Sequence, residues 1–142
     1  MRDVTARRVG VAMFLLCIPV AAFPNDLEKC LKDATAQREL EHCADAAYRE
    51  AHKKLDALYE ELLVKLRKAA EDPLEAGIPG RVGGLLQESQ ALWAKYREAN
   101  CNMHAAKFGR GTMTTLERLM CYVQMTGERL RELQELTEAL NL

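Results

Sequence analysis

The stretch of sequence that decides the fold is residues 35–72, TAQRELEHCADAAYREAHKKLDALYEELLVKLRKAAED. Leu40, Ala44, Ala47, Ala51, Leu55, Leu58, Leu62 and Leu66 recur in it at steps of three and four. That is the spacing of one apolar stripe on a long helix. Tyr48, Tyr59 and Leu63 widen the stripe, and no Gly or Pro interrupts the chain from Asn25 to Asp72. Ala, Leu, Glu, Lys and Arg dominate the segment, so intrinsic propensity agrees with the periodicity. Thr35 is the expected N-cap, its hydroxyl accepting from free first-turn N–H groups and separating a short first helix from this long second one. At 1.5 Å per residue the second helix runs on the order of 54 Å, too long for a compact ball of this size.

Towards the C-terminus, Glu71-Asp72-Pro73 ends the helix, and Gly77, Pro79, Gly80, Gly83 and Gly84 read as the main loop. A third helix is expected from about Leu85 to Phe108, with Leu86, Ser89, Trp93, Tyr96, Asn100 and Met103 along one face. Gly109-Arg110-Gly111-Thr112 breaks it, and Thr114-x-x-Glu117 has the capping-box pattern for a fourth helix. Leu116, Leu119, Val123, Thr126, Leu130, Leu133, Thr137 and Leu140 supply the apolar face of that helix. The fold class is all-α: an elongated bundle of three long helices plus a short N-terminal one, without a sheet.

The N-terminus reads differently. Arg2, Arg7 and Arg8 precede an apolar run from Val9 to Phe23, interrupted by Gly10 and Pro19 and too short for a bilayer span of about 20 residues. Small residues at Ala21 and Ala22 place a cleavage site after Ala22, so residues 1–22 are expected to be a signal peptide and 23–142 the mature domain. Cys17 follows Leu16 where a lipoprotein signal needs a small residue, and the residues around Arg7-Arg8 fit twin-arginine export poorly. Sec export to the periplasm or beyond is the expectation.

The 142 residues carry 20 basic and 21 acidic side chains, 49% hydrophobic residues and 8 Gly, which excludes collagen-like, low-complexity and disordered classes. Loss of residues 1–22 removes three Arg and one Asp, leaving a charge of −3, with no field for nucleic acid. Cys30, Cys43, Cys101 and Cys121 remain. An even count in a small exported chain reads as two disulfides; no C-x-x-C pair suits zinc. Of the three possible connectivities, the helix pattern selects Cys30 with Cys43, on either side of the corner at Thr35. It also selects Cys101 with Cys121, which an antiparallel hairpin brings level. Each bridge is worth roughly 3 kcal/mol in the chain-entropy account.

The string Gln90-x-x-Trp93-x-x-Tyr96-Arg97-x-x-x-Cys101, followed by Gly111-Thr112, Cys121 and Thr126-x-x-Arg129, resembles the small exported domain of LprI-type lysozyme inhibitors. In the N-terminal half Cys30, Thr35, Glu39-Leu40, Cys43, Ala44, Tyr48, Leu55, Tyr59 and Leu62 fall where that domain has them. The chain departs from the family at Gly109-Arg110-Gly111-Thr112, where a Gly-Gly-Ser turn is common. The resemblance implies a helical, disulfide-stapled domain that binds a lysozyme or a related cell-wall hydrolase.

Each singled-out residue has a bland and a sharp reading. Arg110 is either a solvated turn residue or a guanidinium presented to the paired carboxylates of a muramidase cleft. Trp93 and Tyr96, at helical spacing beside Cys101, read as core, with a binding hot spot as the alternative. Arg97 reads as an intrabundle salt bridge to a Glu of the second helix, the alternative being a partner or anion contact. Gln90 reads as an interhelical hydrogen bond rather than an interface contact. Met103, His104, Met113, Met120 and Met125 offer soft ligands to exported copper as the sharp reading, against which three of the four Met read as gap fillers in the core. Glu128, Glu132, Glu135 and Glu138, interleaved with Arg129 and Arg131, read as a solvated face, with contact to a basic partner as the alternative.

No nucleophile elbow, phosphate loop, H-E-x-x-H or Cys–His pair is present, so neither an enzyme nor a cofactor or metal site is expected. The expected function is an exported protein-binding module that inhibits a cell-wall hydrolase. The alternative is an immunity or accessory protein for a secreted toxin such as a lipase effector.

Overall fold

The computed structural model describes residues 25–71 and 77–142. The leader assigned to residues 1–22, with Cys17, and the turn at Pro73 lie outside them. The described residues form four helices: α1 (Asn25–Asp33), α2 (Gln37–Ala69), α3 (Gly77–Ala106) and α4 (Met113–Ala139). The described residues contain no strand. None of their helices is long and apolar enough to cross a membrane. α4 lies mainly along α2, α3 packs against both, and α1 folds back on α2.

The α1–α2 corner is closed by a carboxylate. Glu39 Oε2 accepts from the Thr35 N–H at 2.7 Å, the Thr35 hydroxyl at 3.1 Å and the Ala36 N–H at 3.2 Å. The cap residue is therefore Ala36, not Thr35. The hydroxyl that was to accept from the helix instead donates to Glu39. Cys30 and Cys43 are bonded across this corner with Cα atoms 5.8 Å apart. Leu27, Cys43 and Val123 bury together there, with Leu31, Tyr48 and Met120 around them.

The stripe on α2 is buried as its spacing requires. Leu55, Leu62 and Leu66 form the main core with Leu86 of α3 and Leu133 of α4, flanked by Tyr59, Trp93 and Leu130. Burial of a leucine side chain stabilises by about 2 kcal/mol, so this layer holds the three long helices together.

α3 departs from expectation at its start and in its phase. It begins at Gly77 rather than Leu85. Pro79 sits in the first turn, where an N–H has no intrahelical acceptor to lose. Packing of Val82 and Leu86 onto the Leu62–Leu66 end of α2 supplies what the glycines lack in propensity. A Cβ at Gly83 would lie 3.8 Å from that of Leu66, so the two helices run side by side here. The inward face also differs. Leu86, Cys101 and Ala105 are buried and Gln90, Trp93 and Arg97 half-buried, whereas Ser89, Tyr96 and Met103 are exposed. Tyr96, expected in the core, is 61% exposed.

α4 starts after Thr112, and the expected capping box does not form. The Thr114 hydroxyl donates to the Gly109 carbonyl at 3.0 Å, and Glu117 pairs with Lys107 at 2.8 Å. The antiparallel α3–α4 hairpin brings Cys101 and Cys121 level, bonded with Cα atoms 5.5 Å apart.

Candidate functional site

Two structures are built on the α3–α4 hairpin: a lattice of side chains between the helices, and the turn it supports. In the lattice Trp93, Arg97 and Cys101 follow one another at i, i+4 and i+8 on the inner face of α3. The Arg97 guanidinium lies 4.8 Å from the Trp93 ring centre and 5.5 Å from those of Tyr48 and Tyr122. Its Nη1 donates to the Thr126 hydroxyl at 3.2 Å. No ion pair to a Glu of α2 forms, because the α2 residue that meets Arg97 is Tyr48. The negative ring faces take the place of a carboxylate.

A second arginine extends the lattice. Arg129 Nε donates to Gln90 Oε1 at 3.0 Å and Nη2 to the Ser89 hydroxyl at 2.9 Å. Its Nη1 pairs with Glu132 at 2.9 Å, and its guanidinium lies 5.9 Å from the Trp93 ring centre. Gln90, Trp93, Arg97, Thr126 and Arg129 thus form one interhelical assembly spanning α3 and α4. At its edge the Tyr122 hydroxyl donates to Glu98 Oε2 at 2.7 Å. That hydrogen bond, with a second from Asn102, holds the Glu98 carboxyl below the usual carboxylate range. Burial and the Glu98 bond push Tyr122 up to about 12.

The turn from Lys107 to Thr112 is stiff for reasons of backbone chemistry. Gly109 has φ +61°, which favours a residue without Cβ. A Cβ at Gly111 would stand 3.1 Å from the Phe108 carbonyl oxygen. The Phe108, Gly109 and Gly111 N–H groups donate to the carbonyls three residues earlier at 3.0–3.1 Å. Gln37 Nε2 ties the turn to α2 through the Thr112 carbonyl at 3.0 Å. From this frame Arg110 is exposed and has no ion pair among the described residues. Phe108 and Met113, 37% and 41% exposed, flank it. Their apolar contribution to the turn was not legible, since Phe108 read as the helix end and Met113 was weighed only among gap fillers and soft ligands.

Other candidates disperse. Met103 is 64% exposed, Met120 and Met125 are half-buried, and Asn100 Nδ2 donates to Met125 Sδ at 3.3 Å. Among the described residues no group of three or more His, Cys, Asp or Glu is placed to hold a metal ion.

The family model described as "Lysozyme inhibitor LprI" matches residues 30–133. An uncharacterized protein, R02472, of Rhizobium meliloti (strain 1021) is 30% identical over 127 residues, covering 88% of this chain and 91% of its own. No solved structure matches.

Proposed function

Because the chain belongs to the LprI lysozyme-inhibitor family, we propose that it is an exported protein that inhibits a lysozyme or related cell-wall hydrolase by seating its α3–α4 turn in the enzyme's cleft. The observation that carries this reading is the division of labour between the two motif arginines and a third, Arg110, in the turn where the chain departs from the family. Arg97 and Arg129 are spent inside the bundle, whereas Arg110 projects from a disulfide-tied, glycine-bent turn between two exposed apolar side chains. A muramidase cleft holds two carboxylates, and a guanidinium is the side chain best matched to a carboxylate pair. Stiffness matters because a turn already held in its bound shape loses little entropy on docking. The net charge of −3 after loss of residues 1–22 favours encounter with basic lysozymes. In this reading residues 1–22 direct Sec export and are cleaved after Ala22, and the chain acts by surface recognition rather than by catalysis.

Titration against lysozymes of several classes in a turbidity assay of cell-wall lysis tests the proposal. The wild-type chain is expected to slow lysis at stoichiometric ratio. Arg110→Ala is expected to weaken inhibition by tenfold or more, about 1.4 kcal/mol or above. No slowing by the wild type at stoichiometric excess, or inhibition unchanged by Arg110→Ala, would overturn it.

A further inference from the structure

α3 carries a second apolar stripe on the side turned away from the bundle. Ile78, Leu85, Leu92, Tyr96 and Met103 are 72, 54, 59, 61 and 64% exposed. Single exposed leucines are ordinary, but a continuous row of large side chains marks an interface. With Ala99, and with Val82 and Ser89 on the margin where the stripe meets the bundle, Val82 packing towards the main core and Ser89 accepting from Arg129, these residues occupy positions 78, 82, 85, 89, 92, 96, 99 and 103, alternating steps of four and three. Such spacing is the seam of a coiled coil, here about 37 Å long. The five large side chains alone expose on the order of 650 Å², close to the ~800 Å² that each partner contributes to a standard stable interface.

The charges beside the seam say what covers it. Along one flank Arg81, Glu88, Lys95 and Asn102 recur every seventh residue, all exposed. Along the other lie Leu86 and Trp93, already packed within the bundle. A parallel pairing of two such helices would set the charged flank against the partner's uncharged one and match nothing. An antiparallel pairing sets charged flank against charged flank. With Leu85 opposite the partner's Tyr96 and Ser89 opposite the partner's Leu92, Glu88 falls opposite the partner's Lys95, and by symmetry the pair forms twice. A shift of one heptad in one direction puts Lys95 on the partner's Lys95. The opposite shift puts Glu88 on the partner's Glu88. One register is attractive and its neighbours are repulsive, which is how flanking charges select an arrangement.

We propose that α3 pairs with α3 of a second copy of this chain, antiparallel about a two-fold axis near residues 90–91, in the register that sets Glu88 against the partner's Lys95. The two Arg110 turns then lie at opposite ends of the dimer, about 60 Å apart along the helix direction, so that each is free to engage its own target.

Sedimentation equilibrium of the chain, purified as the producing cell processes it, tests the pairing. The wild type is expected to be dimeric at micromolar concentration, and Leu92→Asp, a change at an exposed position, monomeric with its far-UV helical signal retained and a melting temperature that no longer rises with concentration. Glu88→Lys and Lys95→Glu are each expected to weaken the dimer about tenfold, and the double swap to restore it. A wild-type monomer up to about 100 µM, including one whose stripe is instead protected by the target enzyme, overturns the proposal. So does a dimer indifferent to Leu92→Asp, or a double swap that recovers nothing.

Discussion

Arg97 is held by three ring faces and one hydroxyl, with no ion pair to a carboxylate among the described residues. Lysine cannot reproduce this, because an ammonium lacks the flat face that stacks on Trp93 and is more strongly hydrated. Arg97→Lys is expected to lower unfolding stability by about 2 kcal/mol, read from denaturant melts, while leaving inhibition at saturating protein unchanged. Inhibition lost in a fully folded Arg97→Lys variant would instead place this arginine at the target contact. Tyr122 gives a pH signature. Its pKa is raised from 10.0 to about 12, by burial and by the bond to Glu98. A raised folded-state pKa contributes stability that is complete below the unfolded value and lost as pH rises through the folded one. Glu98, lowered by its bonds from Tyr122 and Asn102, contributes stability present above the usual carboxylate range and lost as pH falls through its folded-state value. The melting temperature is therefore expected to drop between pH 10 and 12. Tyr122→Phe should flatten that drop; a drop of equal size in the variant would remove Tyr122 from the account.

At the level of the helices, the glycines separate into two kinds. Gly109 has φ +61°, where any L side chain is strained, so Gly109→Ala is expected to cost about 1 kcal/mol. Gly84 lies within α3 with nothing within 4 Å of a would-be Cβ. There Gly84→Ala is expected to stabilise by about 1 kcal/mol. Opposite shifts in melting temperature for these two variants check the assignment of turn and helix, and shifts of the same sign would contradict it. The misreading of α3 has the same origin. Pro79 and four glycines between residues 77 and 84 are breakers by local rules, but first-turn placement and packing on Leu62 and Leu66 override them. α2 was legible because it has one apolar stripe. α3 has two, of which Leu86–Trp93–Cys101 faces the bundle and Leu85–Leu92–Tyr96 faces outward. Periodicity alone does not choose between faces, and mixing them drew Tyr96 into the expected core. Arg110 was legible as a turn residue from its glycine neighbours. The apolar flank of Phe108 and Met113 was not, because it depends on where the helices end in space.

For the molecule as a whole, both disulfides join neighbours along the chain, across 13 and 20 residues. Each clamps one corner of a bundle whose fully buried core is thin: Leu55, Leu62, Leu66 and Leu133 are the large aliphatic side chains at or below 2% exposure. The motif shared with the LprI family lies largely inside this frame; in the proposed reading it maintains the scaffold, and recognition falls to the turn that the frame holds out. Amide hydrogen exchange of the chain, alone and saturated with a lysozyme that it inhibits, tests that division most directly. The account predicts new protection concentrated at residues 107–113, with the α1–α2 corner unchanged. Protection centred on the α1–α2 corner, with residues 107–113 exchanging as in the free chain, would contradict it.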